Sequence, residues 1–133
     1  MNDKTEHLKM IQEVITRMNT NSFQIKGWTI SLVSALLAFY INSSKVAYIF
    51  IALIPVIILW ILDSYYLQQE RRFRALYNDV VNDETDNMKR FTMSIDKYKT
   101  CEYCIMKAIT SVTILPLYLI LAVGLTVGGI LIK

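Results

Sequence analysis

Three uncharged apolar stretches, 27–41, 46–62 and 108–132, dominate the pattern of the chain. At about 1.5 Å per residue they span about 22, 25 and 37 Å, against a hydrocarbon core about 30 Å thick. The second stretch is extended by Tyr65, Tyr66 and Leu67. The first needs Phe23 and Ile25, with Lys26 reaching back to the surface. The pattern predicts three transmembrane helices, at 27–41, 46–67 and 105–132.

Residues 1–26 show the three-four spacing of an amphipathic cytoplasmic helix. We expect it to pack on other cytoplasmic helices, because its polar face carries both charge signs; lying in the lipid headgroups is the alternative. A polar stretch at 19–22 indicates either a kink or one continuous helix. A secretory signal is disfavoured by the acidic residues that precede the apolar stretch. The apolar positions of the predicted helix are Leu8, Ile11, Ile15, Met18 and Ile25.

Residues 68–104 are predicted to form a cytoplasmic helical region. No Gly or Pro interrupts 60–76, so the second membrane helix should continue past the bilayer to about residue 80. An acidic turn at 82–87 and a short helix at 88–100 should follow. One face of the extension should be apolar (Leu62, Tyr66, Phe73, Leu76, Tyr77, Val80) and the opposite one polar (Gln68, Arg71, Arg74, Asn78).

Composition and charge agree with a membrane protein. The chain is 54% hydrophobic, which is high for a soluble domain of this length. With the N-terminus in the cytoplasm, twelve of its fourteen Lys and Arg residues lie inside and only Lys45 and Lys133 lie outside. This positive-inside bias predicts an inner-membrane protein whose C-terminus is extracytoplasmic. All eleven acidic residues also lie inside, so an anion site would have to be local.

Catalytic signals are weak. His7, the one histidine, is expected to be solvated. Cys101 and Cys104 have the CxxC spacing but no second Cys pair, so two spare thiols are favoured over a zinc or redox site. We therefore expect no enzymatic activity, no cofactor and no metal.

The polar residues near the membrane have two interpretations. Asp63 is either an interfacial carboxylate that contacts Lys26 or water, or one member of a carboxylate ring at a pore mouth. Small residues at 31/35 and 34/38 indicate helix packing first, although hydroxyl groups could also line an aqueous path. Pro55 and Pro116 predict kinks within the membrane. The candidate pore-lining residues are Thr29, Ser31, Ser34 and Asp63.

The fold class expected is thus an all-α, homo-oligomeric membrane protein with three transmembrane helices, an N-terminal amphipathic helix and a cytoplasmic helical extension. Three helices cannot enclose a useful pore, and symmetric closure is the default for such chains. A tetramer is the expected assembly. It would repeat Arg71, Arg72 and Arg74 around one axis, where they would repel one another unless an anion lies among them.

Two segments, HLKMIQEVITRMNTNSFQIKGW (7–28) and LDSYYLQQERRFRALYNDV (62–80), flank a hydrophobic helix pair. This arrangement resembles small bacterial anti-phage defence membrane effectors paired with a nucleotidyltransferase, the HalA-like effectors of the Hailong system. The resemblance implies an ion channel held closed by single-stranded oligodeoxyadenylate, whose loss depolarises the membrane and arrests the infected cell.

Bases stacked on aromatic rings and phosphates bound by arginine would then be expected in the cytoplasmic region. Two other functions remain open: a non-conducting membrane-anchored adaptor that docks a soluble cytoplasmic partner, and a constitutive pore without a ligand. The candidate ligand-binding residues, chosen by chemistry and side of the membrane, are Arg71, Arg72, Arg74, Tyr77 and Arg17.

Overall fold

Two long helices form the body of the protein. The computed structural model describes residues 3–43, 45–82 and 91–131, which are largely helical and contain no strand. Helix α1 runs over Asp3–Ser43 and α2 over Ala47–Asn82. At about 1.5 Å per residue they are about 61 and 54 Å long. They lie antiparallel, and each is long and apolar enough to cross a membrane.

Helix α1 is continuous through the polar stretch at 19–22, so of the two possibilities left open there, the structure has the continuous helix. Helix α2 likewise continues through Pro55 and on to Asn82. The predicted extension of α2 beyond its apolar stretch is therefore present. It persists because α1 supplies a partner along its whole length.

The third apolar stretch differs from its prediction as one helix over 105–132. It forms a short helix α3 (Ile105–Ile109), a non-helical link and then α4 (Leu115–Leu131). The backbone N–H groups of Ile114 and Leu115 both bond Ser111 O, at 3.0 and 2.9 Å. Pro116 is the second residue of α4, in the first helical turn where its missing N–H is not needed. The predicted kink at Pro116 is therefore wrong: this proline lies at the beginning of a helix.

The segment before α3 corrects a second prediction. Of the short helix expected at 88–100, residues 88–90 lie outside the described residues, and 91–100 contain only a 3₁₀ turn at Asp96–Tyr98. Phe91 has a left-handed backbone (φ 59°), which an α-helix cannot include. A second 3₁₀ turn, Cys101–Tyr103, leads into α3.

The described residues form two clusters of buried apolar side chains. Both are built where α2 meets α1, one at the apolar ends of the helices and one at their polar ends. The apolar-half cluster contains Val33, Tyr40, Ile49, Ala52, Val56, Ile114, Tyr118 and Leu125. The polar-half cluster contains Ile11, Ile15, Leu76, Val80 and Tyr98.

The predicted faces of α2 are partly wrong. Leu76 and Val80 are buried, but Leu62 is 40% exposed while Gln68 is only 8% exposed. The cause is the chain at 101–111, which packs on the side of α2 that was assigned to solvent. Gln68 Nε2 donates a hydrogen bond to Tyr103 O at 2.8 Å.

His7 also differs from its expectation as a solvated residue. Its side chain is buried, with Nε2 2.8 Å from Thr92 O, and its ring lies 5.9 Å from that of Phe91. His7 thus connects the beginning of α1 to the segment that starts at residue 91.

Candidate functional site

The face of α1 that points away from α2 carries a regular row of polar and small residues. Successive members are alternately four and three residues apart, so that the row repeats every seven residues, or two steps of about 3.5. Every member is exposed. We call this row the outer face of α1. It consists of Glu13, Arg17, Thr20, Gln24, Gly27, Ser31, Ser34 and Ala38.

The inner face of α1 repeats with the same period on the opposite side. Ser22 and Thr29 are buried seven residues apart, as are Val33 and Tyr40. At about 100° per residue, Ser22 lies about 200° around the helix from Gln24. One helix therefore presents two rows of the same period, and only the inner row is covered within the described protomer.

In the apolar half, the outer face is made of small side chains between large ones. Gly27 and Ser31, and likewise Ser34 and Ala38, have the small-xxx-small spacing that lets helices approach closely. Ser31 Oγ donates to Gly27 O at 2.9 Å, so its proton is satisfied within the helix. Large apolar residues flank the row on both sides and are strongly exposed. These include Ile30, Trp28 and Phe39.

A buried polar cluster lies where α1, α2 and α4 meet. The Asp63 carboxylate is 0% exposed. Its Oδ2 lies 2.7 Å and its Oδ1 2.9 Å from Lys26 Nζ. Ser22 Oγ donates a hydrogen bond to the same carboxylate, and Tyr118 donates another at 3.2 Å. Lys26 Nζ also donates to Ser22 Oγ at 2.8 Å. We call these four residues the Asp63 cluster.

Within this cluster the two charges are not equivalent. The Lys26 side chain is 22% exposed, whereas Asp63 has no contact with solvent. A buried carboxylate needs a cation and hydrogen-bond donors to compensate for lost hydration. Asp63 receives both, so the protomer alone satisfies it.

The four expected pore-lining residues thus separate into two pairs. Ser31 and Ser34 lie on the outer face. Thr29 is fully buried and donates to Ile25 O at 2.8 Å, and Asp63 lies inside the protomer. A ring of Asp63 carboxylates around a shared opening has no support in this geometry, whereas the predicted contact with Lys26 is present.

The arginines of α2 do not form one cluster in the described part of the chain. Arg71 donates to Ser111 Oγ at 2.9 Å and to Lys107 O at 3.4 Å, which ties α2 to the link before α4. Arg74, with a 59% exposed side chain, pairs with Glu70 one turn earlier at 2.8 Å. The pKa of the Asp96 carboxyl is lowered, mainly by hydrogen bonds from Lys99 and Ser94, with a small contribution from the charge of Arg72.

The other two expected ligand residues are also apart from each other. Tyr77 is half-buried against the polar-half cluster, while Arg17 is exposed on the outer face of α1. Of the five residues, Arg17 alone belongs to a row that the protomer leaves open. A single protomer therefore does not assemble the expected ligand site.

A second polar group, absent from the sequence predictions, holds the segment after residue 91 to α2. Asp79 Oδ2 accepts hydrogen bonds from Lys97 Nζ at 2.7 Å and from the Tyr98 hydroxyl at 2.6 Å. These bonds lower the pKa of Asp79. Burial and the neighbouring Asp79 raise the pKa of Tyr98.

Neither cysteine is paired with another: Cys101 is exposed and Cys104 half-buried, and both are free thiols. Over residues 3–43, 45–82 and 91–131 no three His, Cys, Asp or Glu side chains come together as metal ligands.

The outer face of α1 could have been found from the sequence. Its 3.5-residue spacing runs without interruption from Glu13 to Ala38, but dividing the segment at Lys26 into two elements hides it. The contribution of Tyr118 to the Asp63 cluster had no comparable signal, because 55 residues separate the two.

Comparison with protein-family models, characterised proteins and solved structures finds no match for this chain.

Proposed function

We propose that copies of this chain assemble in the inner membrane into an ion channel whose path is lined by the outer faces of their α1 helices. The single observation that carries the proposal is the outer face itself. It is an uninterrupted row of polar and small residues about 38 Å long, on the side of α1 opposite its own protomer. Its apolar half, from Gly27 to Ala38, has the small-residue spacing that lets helices of other copies approach closely. Its polar half, from Glu13 to Gln24, continues the same row into the cytoplasm.

The membrane topology in this proposal has three spans. α1 and α2 are long and apolar enough to cross, and α4, at 17 residues, adds a third span of about 25 Å. Slight thinning of the bilayer accommodates a span this short. The bias of Lys and Arg supports a topology with the N-terminus and the 91–104 segment in the cytoplasm.

Self-assembly follows from what one protomer lacks. Its three apolar helices meet around the apolar-half cluster, whose buried apolar side chains pack together, and the buried carboxylate of Asp63 is already paired with Lys26. Ions therefore need a path between copies. A row repeating every 3.5 residues stays directed toward one axis in a left-handed bundle, and we propose four copies around it.

The anionic ligand expected from the resemblance enters at the cytoplasmic end of this arrangement. The assembly would repeat Arg17 around the axis, about two turns of α1 from Gln24. Phosphate groups are good partners for such a ring of guanidinium groups. In this proposal single-stranded oligodeoxyadenylate binds at the ring and closes the channel.

Liposomes that contain the full chain and an ion-sensitive dye test the proposal, with the mass of the detergent-solubilised assembly measured in parallel. The expected result is ion flux together with a homo-oligomeric mass. Flux should fall when Ser31 and Ser34 are both replaced by Leu, but not in the matched variant Ile30→Leu, because Ile30 flanks the row. A monomer without flux would overturn the proposal. If oligodeoxyadenylate does not reduce the flux, only the assignment of the ligand is wrong and the channel proposal stands.

A membrane-anchored adaptor is the second candidate, favoured by a separate observation. A cavity of about 300 Å³ opens in the polar half between α1 and the 91–95 segment. Met10, Val14 and Met93 line it together with Glu13 and Arg17 of the outer face. Methionine surfaces adapt to varied apolar partners. The adaptor predicts stable binding of a cytoplasmic protein and no conductance.

A further inference from the structure

The fully buried contact at the middle of α1 is polar, whereas its apolar side chains there, Met18 and Ile25, are only half-buried. Between Ile15 and Thr29, a stretch that the structure describes in full, Ser22 is the one buried residue of α1. Its hydroxyl donates to Asp63, and Lys26 one turn later pairs with the same carboxylate. Above and below this level, apolar packing and further hydrogen bonds hold α1, as at Tyr40, whose hydroxyl donates to Gly129 O at 3.1 Å.

The same level of α1 carries part of the outer face on its other side. Thr20, Gln24 and Gly27 are exposed there, and a Cβ added at Gly27 would meet no atom within 4 Å. Small residues at this point let one α1 helix approach another closely. The middle of α1 thus has two competing contacts, the Asp63 cluster of its own protomer and the α1 helices of neighbouring copies.

We propose that the Asp63 cluster is a latch that positions the middle of α1 against α2 and α4 and so keeps the channel path open at the level of Gln24. The inference rests on the proposed function, since it assigns the residues that set the width of the same path. When the latch is released, the middle of α1 moves toward the axis, and the outer faces of neighbouring copies meet at Thr20, Gln24 and Gly27.

Asp63 is the centre of the latch because it bonds groups from two other helices. Ser22 and Lys26 come from α1. Tyr118 comes from α4, and its single hydroxyl proton is shared between Asp63 Oδ2 at 3.2 Å and Leu59 O at 3.3 Å. Since Asp63 has no access to water, it cannot exchange these partners for solvent while the helices stay together. Lys26, being partly exposed, can do so. Asp63 is therefore the member of the cluster that fixes the position of α1.

Replacing both charges tests the latch without leaving one of them buried alone. The double variant Lys26→Ala/Asp63→Ala removes the tie, whereas Lys26→Met/Asp63→Asn keeps a neutral side chain that can still accept from Ser22 and Tyr118. Each is made in the full chain with Gln24→Cys, Cys101→Ser and Cys104→Ser. Disulfide formation between Gln24→Cys copies in liposomes reports the distance between α1 helices, and dye flux reports the path.

The alanine pair should raise the rate of Gln24→Cys cross-linking and lower flux about tenfold or more, since bonds to a charged group shift such equilibria at least that far. The Met/Asn pair should stay close to the parent protein in both readouts. Ile11→Ala, which weakens a cluster away from the latch, should leave cross-linking at Gln24→Cys unchanged. This control separates a positioning role from general loss of stability.

Parent-like cross-linking and flux in the alanine pair would overturn the latch. If that pair does not fold, as judged by its circular dichroism, Tyr118→Phe takes its place: a smaller change in the same direction supports the latch and no change overturns it. A parent protein without flux would instead overturn the proposed function, and cross-linking would still decide whether the Asp63 cluster positions α1.

Discussion

The two faces of α1 share one repeat but differ in chemistry. The inner face buries Ile11 and Ile15 against α2 and places Ser22 on a carboxylate, whereas the outer face has Glu13, Thr20 and other polar or small side chains. A helix that only had to pack in its own protomer and face lipid would need no ordered outer row. Because both rows repeat about every 3.5 residues, they stay on opposite sides along the helix. The difference shows which contacts the protomer satisfies and which it leaves for another copy.

The largest effect should come from breaking the inner face. Ile11 is fully buried in the polar-half cluster, so Ile11→Ala should lower the free energy of unfolding by about 2–5 kcal/mol through lost burial and a cavity. Glu13→Ala, two residues away on the outer face, should change it by less than about 0.5 kcal/mol. Thermal or denaturant unfolding in detergent, followed by circular dichroism, measures both. Equal losses would mean that the two faces are not distinct.

Helix α4 allows the comparison to be repeated with adjacent glycines. A Cβ at Gly129 would overlap the side chain of Ile49 on α2, whereas one at Gly128 would meet nothing within 4 Å. Gly129→Val should therefore destabilise the protein by about 1–3 kcal/mol through overpacking. Gly128→Val has the same change in helix propensity and should cost clearly less. If the two variants unfold alike in the same assay, α2 and α4 do not pack as described.

A smaller effect should appear with pH at the polar end of α2. Lys97 and Tyr98 lower the pKa of Asp79 below its ordinary value of 3.8, so the folded state favours the carboxylate. The resulting stability is present in full above pH 3.8 and is lost as the pH falls through the lowered pKa. Asp79 is 38% exposed, which limits the contribution to about 0.2–1 kcal/mol.

The difference in unfolding free energy between the parent and Asp79→Asn, measured from pH 7 down to pH 3, isolates this contribution. It should shrink only at the acid end. Glu13→Gln on the outer face serves as the matched control and should show no such change. A difference that stays constant to pH 3 would contradict the assigned hydrogen bonds.

Much of the helical layout could be predicted from residue patterns. The run from Trp60 to Leu76, which contains no Gly or Pro, predicts that the second helix continues beyond its apolar residues. The structure confirms this, because α2 ends at Asn82. The break before α4 was also readable in principle, because Pro116 is favoured in a first helical turn. Its position inside a long apolar stretch made one continuous span the simpler prediction.

The candidate site is harder to predict from the sequence, because contacts between distant parts of the chain determine it. Periodicity assigns Gln68 and Arg71 to solvent, yet the chain at 101–111 returns to cover that side of α2. The sequence marks Asp63 as unusual and Lys26 as its partner, but no local pattern indicates that Tyr118 completes the cluster. The ordered outer face of α1 lies in the sequence itself and is visible only when 13–38 are read as one helix.

Thiol modification along α1 tests the central claim most directly. Single cysteines are placed at Ser31 and Ser34 on the outer face and at Ile30 and Phe39 beside it, in a background with Cys101→Ser and Cys104→Ser. Ion flux is then measured before and after a charged, water-soluble thiol reagent. The account predicts that modification at Ser31→Cys and Ser34→Cys blocks flux, while Ile30→Cys and Phe39→Cys are unaffected. Block from the flanking positions with none from the outer face would contradict it.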